Sequence, residues 1–282
     1  MDDADVDSMS AEHEEFARPP VSEVNLTFWF ETIYTLSALH LSTLRNAWAN
    51  ELPRVEEKAP LAPWNPTDSI TFVDDKWPMP ACIFASKERE KQILIQADRF
   101  GLTWYFTPNN RYPGFAELSQ DFKRRFEEFT EALRESGNED PTLVRATIEY
   151  ENYLDLFDSN IVSRRVVAGE KITEADQDVV TEGTTAVRKH VCPTEKNSNI
   201  TLLVGVDSTR RGEGISFAAS ALDTADKNND GKVPATLLTI SGRADLSKGD
   251  DPAERLQQAH DELYTLFTQL FDDSLKSSWG ER

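Results

Sequence analysis

The stretch of this chain that comes nearest to a metal site is Asp226-Lys-Asn228-Asn-Asp230-Gly231-Lys-Val233. Oxygen-bearing side chains at loop positions one, three and five, glycine at six and an apolar residue at eight are what an EF-hand calcium loop uses. The pattern then fails: Pro234 stands at position nine, and Leu237 at position twelve, where a bidentate glutamate is needed. The flanks read as strands, so a polar hairpin turn competes with calcium, because Asn, Asp and Gly tolerate positive φ. Asp226, Asn228 and Asp230 are the expected ligands of a weak calcium site, and no other cofactor is expected.

Other chemistry leaves fainter traces. The four histidines are His13, His40, His190 and His260, and none has a second His or Cys at a metal-ligand spacing except the isolated pair His190 and Cys192. The cysteines Cys82 and Cys192 lie far apart and suggest two reduced thiols. There is no Gly-x-Ser-x-Gly elbow, no phosphate-binding glycine loop and no dinucleotide fingerprint. Ser208-Thr-Arg210-Arg211-Gly-Glu-Gly214 is the nearest approach to a phosphate cradle, and a turn between strands is its plainer reading. Trp104-Tyr-Phe106 has no neighbouring Lys or Arg to make a base-stacking platform, so it reads as core.

The charge balance narrows the partners. Fifty acidic residues against 30 basic ones give a net charge of −20 over 282 residues. Such a surface repels phosphate backbones, whose binding relies on clustered Lys and Arg. A basic protein partner is the better electrostatic match. No apolar run reaches the ~18 residues of a membrane helix, and the N-terminus is acidic where a secretion signal is basic and apolar. The expectation is a cytoplasmic protein with no membrane partner.

The elements that must position any site follow from periodicity. Residues 1–18 read as a disordered acidic tail. In Val21–Phe30, Val24, Leu26, Phe28 and Phe30 alternate with polar residues, which predicts a half-buried strand. Leu41, Leu44, Trp48 and Leu52 predict a helix that Pro53 ends, and the stretch 55–66 reads as an extended connector. Strands are predicted at 80–84, 91–97 and 102–107, as an antiparallel meander. Phe115, Leu118, Phe122, Phe126, Phe129 and Leu133 predict a long amphipathic helix, and 143–154 another strand. Then come an irregular segment with a short helix at 174–189, strands at 200–207, 214–222 and 233–242, and a last long helix at 252–277. The fold class is α+β, with one or two antiparallel sheets backed by two long amphipathic helices. The order of elements points to a duplicated β-α-β-meander-α unit, with a first half at 19–155 and a second at 156–282 packed as one body.

Several short motifs occur together. They are Arg18-Pro-Pro20-Val-Ser-Glu23-Val24, Leu52-Pro53-Arg-Val55-Glu56-Glu57, Ile95-Gln96-Ala-Asp98-Arg99-Phe100, Thr103-Trp104, Tyr112-Pro113-Gly114-Phe115, Tyr150-x-Asn152, His260-Asp-Glu262 and Trp279-Gly280. In order and spacing they resemble a sporadically distributed bacterial and archaeal family of about this length with no established function. The chain departs from that pattern between about 156 and 196, and at Glu149 and Glu151, where the family has Arg and an apolar residue. The resemblance singles out Arg99, Tyr112, Asn152, His260 and Glu262 as a candidate functional cluster. Patchy distribution also suits a bacterial defence or toxin–antitoxin setting. With no catalytic constellation legible, the expected function is a non-enzymatic protein-binding or adaptor component. An enzyme whose site assembles from distant residues and a nucleic-acid-binding protein are the alternatives.

Overall fold

The computed structural model describes residues 20–62, 79–107, 110–155, 157–176, 188–193, 199–212 and 232–279. The loop bearing Asp226, Asn228 and Asp230, the predicted strand at 214–222 and the acidic tail before Arg18 lie outside these residues.

The first strand, β1 (Val21–Phe30), buries Val24, Leu26, Phe28 and Phe30 and keeps Glu23, Asn25, Thr27 and Trp29 half-buried on its other side. A single 3-10 turn, Ala38–Leu41, and a short helix, α1 (Ser42–Ala47), follow. The meander then runs β2 (Arg54–Lys58), β3 (Ala81–Ala85), β4 (Lys91–Gln96), β5 (Arg99–Tyr105). β5 turns back onto β1, and α2 (Phe115–Glu135) closes the first half. The second half follows the same order with one strand fewer among the described residues. β6 (Leu143–Asp155) is followed by α3 (Ser159–Ala168), the strands β7 (Arg188–Pro193), β8 (Ile200–Gly212) and β9 (Lys232–Asp245), and α4 (Pro252–Leu270). α5 (Asp273–Ser278) ends the described chain.

All nine strands form one antiparallel sheet in the order β2-β3-β4-β5-β1-β6-β9-β8-β7. In each half the meander folds back so that its last strand pairs with the first. The two halves then join along β1 and β6, where Leu26 faces Ile148 and Val24 faces Tyr150. Both halves therefore share one sheet and one core.

The helices pack on a single face. Phe122 of α2 lies 4.6 Å from Phe28 and 5.6 Å from Phe100, ring centre to ring centre. Trp48, just after α1, meets Phe84 edge-on at 5.1 Å. α4 approaches β9 so closely that a Cβ on Gly242 would stand 2.7 Å from the Ala259 carbonyl oxygen. Asp251 caps α4, its carboxylate accepting from the Ala253 and Glu254 amides, with Pro252 in the first turn. Asp251→Ala is expected to cost about 1 kcal/mol in urea unfolding, the usual loss of an N-cap.

Four expectations need correction. The connector after Pro53 contains a strand, β2, which as a sheet edge needs no continuous apolar face. A short helix stands earlier than expected, at Ser159–Ala168, capped by Asp158 and closed by Gly169 at φ 67; of the stretch 174–189, Glu174–Asp176 form a 3-10 turn, β7 begins at Arg188, and 177–187 lie outside the described residues. The stretch Ser208–Gly212 is strand rather than turn, because β8 pairs with β9 in unbroken register to Gly212. The last helix breaks at Phe271, where Ile172 inserts: its amide donates to Leu270 O at 2.7 Å and its carbonyl accepts from Asp272 N at 3.1 Å.

Candidate functional site

The candidate residues fall in three places. Tyr112, Tyr150 and His260 come together on the helix-covered face, above the seam between the halves. The Tyr112 and Tyr150 hydroxyls share a hydrogen bond of 2.8 Å. The His260 ring stacks on Phe115 at 3.9 Å with the planes 7° apart, and stands 6.3 Å from the Tyr150 ring. The reason is topological. α2 begins with Phe115 just after the Tyr112 loop, α4 carries His260 inward from the second half, and β6 lifts Tyr150 between them. Burial pushes both tyrosines well above the ordinary phenol range, so their hydroxyls stay protonated. They are hydrogen-bond donors, poorly suited to act as bases. Tyr150→Phe removes one member of the pair and is expected to cost about 1–3 kcal/mol in urea unfolding, because the Tyr112 hydroxyl loses this partner.

Asn152 shares this face of β6 with Tyr150 and is fully buried. Its amide donates to Leu238 O at 3.1 Å, and its Oδ1 has no hydrogen-bond partner among the described residues. Glu262 lies two residues beyond His260, roughly 200° around α4, and is partly exposed. Arg99 is on the opposite face of the sheet. It pairs with Asp98 through two contacts of 2.8 and 3.0 Å, donates to Ala62 O and lies 4.4 Å from the centre of the Trp29 ring. With Gln96, which exchanges hydrogen bonds of 2.8 and 3.1 Å with Leu61, it holds the connector after β2 against the sheet. Arg99 and Glu262 thus stand apart from the tyrosine–histidine group.

The opposite sheet face carries a second group, which only the register reveals. Glu23 faces Tyr105 on one side and Glu151 on the other, and the next row sets Asn25 against Thr103 and Glu149. Among the described residues no helix covers this face, and its side chains here are half-buried. Asn25 donates to Glu23 Oε1 at 2.9 Å and accepts from Thr103 at 2.6 Å. Burial, followed by the charges of Glu23 and Glu149, pushes the Glu151 carboxyl up to about 7. Burial likewise raises Glu23, against the pull of Asn25. Burial, then Glu23 and Glu151, push Tyr105 to about 12. The period-two alternation assigns each acid to the polar side of its strand. The pairing of β1 with β6, set by contacts 125 or so residues apart in the chain, is not written in either strand.

The Glu151 shift has a definite sign. The folded chain holds this proton more tightly than the unfolded chain, whose glutamate titrates near 4.5. Its contribution to stability is therefore fully present below about 4.5 and is lost as pH rises through about 7. Glu151→Gln is expected to flatten that part of a stability-versus-pH curve measured by urea unfolding.

Among the described residues no cluster of His, Cys, Asp and Glu has the geometry to hold a metal ion, and no helix is long and apolar enough to cross a membrane. These features define an α+β protein with one wide antiparallel sheet, helices on one face and a polar, acid-bearing opposite face. No family model and no curated protein matches the chain. Among solved structures it is similar to a rolling circle replication initiator protein from Geobacillus stearothermophilus. The identity is 7%, over 86% of this chain and 78% of that one, with a TM-score of 0.25. A likeness at that level carries no weight for fold or function.

Proposed function

We propose that the protein is a non-enzymatic binding component that docks a basic segment of a protein partner on the polar face of its sheet. The observation that carries this reading is the row Tyr105–Glu23–Glu151 across three adjacent strands. Directly opposed like charges are unfavourable, and among the described residues no Lys or Arg occupies a cross-strand position beside either acid. A cation from a partner relieves that repulsion, and Tyr105, Thr103 and Thr239 on the adjoining strands offer contact area and hydrogen bonds. The same acids repel a phosphate backbone, which weighs against nucleic acid. The separation of Arg99 and Glu262 from Tyr112 and His260 weighs against one assembled catalytic site.

The test compares tagged full-length chains isolated from their own cells. Glu23→Lys with Glu151→Lys reverses the charge of the sheet face. Glu127→Lys with Glu135→Lys makes the same change on the exposed side of α2. A stoichiometric partner retained by wild type and by the α2 variant, and lost by the sheet variant, is the expected result. Equal retention by both variants moves the interface elsewhere, and recovery of the chain alone in all three overturns the reading.

A further inference from the structure

We propose that the seat formed by Glu23 and Glu151 is proton-gated: the two carboxyls hold one proton between them, and the cationic segment docks only when that proton has left. The inference rests on the docking reading above and adds its regulation.

The geometry is a cross-strand pair. Residues directly opposed on antiparallel strands keep their Cβ atoms about 5 Å apart, and Glu23 and Glu151 are so opposed, next to the irregularity between Val21 and Glu23 where Ser22 donates to Glu151 O at 2.9 Å. Two carboxylates this close, partly out of water, resist holding two negative charges. The groups facing them come from every neighbouring strand. β5 contributes Tyr105, β6 adds Glu149 and Tyr153, and β9 places Thr239 opposite Glu151. Of the cations that the register sets along these rows, Arg99, Arg145 and Arg243 stand on later ones, Arg99 beside Asp98 and Arg145 2.7 Å from Asp245, whereas Arg54 and Lys58 stand on β2 at the far edge of the sheet and Lys189 falls in the row of Glu151 on β7, three strands away. Asn25 donates to Glu23 and favours its ionised form, whereas the Glu151 carboxylate has no hydrogen-bond donor among the described residues. The shared proton therefore resides on Glu151. Tyr105 stays protonated throughout and presents a hydroxyl beside the pair.

A Lys or Arg side chain does the same electrostatic work as the proton, so the two compete. With the proton leaving near 7, roughly a tenth of molecules are competent at pH 6 and roughly nine-tenths at pH 8. Lys and Arg stay charged over this range, so the probe adds no pH dependence.

The experiment titrates the full-length protein with an acetylated, amidated Gly-Lys-Arg-Lys-Gly peptide at constant ionic strength, read by backbone amide NMR shifts at pH 6 and pH 8. The expected result is a set of shifts centred on β1, β5 and β6 around Glu23, Tyr105 and Glu151, with affinity about tenfold higher at pH 8. Glu151→Gln is expected to bind more weakly with that pH dependence lost, and Glu23→Gln to bind more weakly with it reduced and shifted to lower pH, because burial and Glu149 still act on Glu151. Equal affinity at both pH values with the same shifted residues overturns the gate and leaves the docking reading standing. A tenfold change that survives Glu151→Gln also overturns the gate. Shifts that avoid these three strands at both pH values overturn the docking reading with it.

Discussion

Placing a single methyl group on Gly242 is expected to destabilise the fold by about 2–4 kcal/mol, because the atom it meets is backbone and cannot turn away. The new Cβ would stand 2.7 Å from Ala259 O and 3.3 Å from Ala259 C. α4 must then lift from β9, which loosens the packing of Ala259 and its neighbours Leu256 and Leu263, all buried against the sheet. Gly205→Ala is the matched control. Its Cβ would meet Thr239 Cβ at 3.6 Å, an ordinary contact, so a change within about 0.5 kcal/mol is expected. Urea unfolding of both variants checks the pair. A Gly242→Ala protein as stable as Gly205→Ala would mean that the helix seats farther from the sheet than a 2.7 Å approach of Ala259 O allows.

Truncating Phe122 to alanine is the second large effect, at about 3–5 kcal/mol. Its ring is fully buried and touches Phe28 of β1 and Phe100 of β5, so it ties α2 to two strands at once. Phe126 packs against the same two rings but is only partly buried, and Phe126→Ala is expected to cost less. The comparison, again by urea unfolding, separates the contribution of a sealed cavity from that of ring contact alone.

Much of this fold is legible in the chain because burial is periodic. The stripe from Phe115 to Leu133 repeats at three and four residues, and the structure buries Phe115, Leu118, Phe122, Phe129 and Leu133 of α2. Alternation in Val21–Phe30 and Leu143–Asp155 assigns each residue of β1 and β6 to a face. The signals for α3 were present as well, in Asp158 before the helix and Gly169 after it, but an amphipathic pattern of only ten residues was weaker than the acidic run that follows. β2 gave no signal, because Arg54, Glu56, Glu57 and Lys58 read as solvated chain and an edge strand is allowed to look that way.

The candidate site was legible only as residue types. Tyr112, Asn152 and His260 stood out as members of short motifs, and two of them meet around Tyr150 because α2 and α4 converge over the seam. Arg99, equally prominent in the chain, turns to the other face with Asp98, since a strand alternates its side chains and its neighbour Phe100 takes the core.

By itself the sequence determined the class of fold, the faces of its strands and long helices, and a charge that favours basic partners over phosphate. Those properties are local or additive, read from residues a few positions apart or summed over the chain. Only the tertiary structure decided that both halves share one sheet, that Ile172 interrupts the last helix, and that Glu23 and Glu151 face each other. These are matters of strand order and register, fixed by the packing of a common core between segments about a hundred residues or more apart, and neither segment carries that information alone.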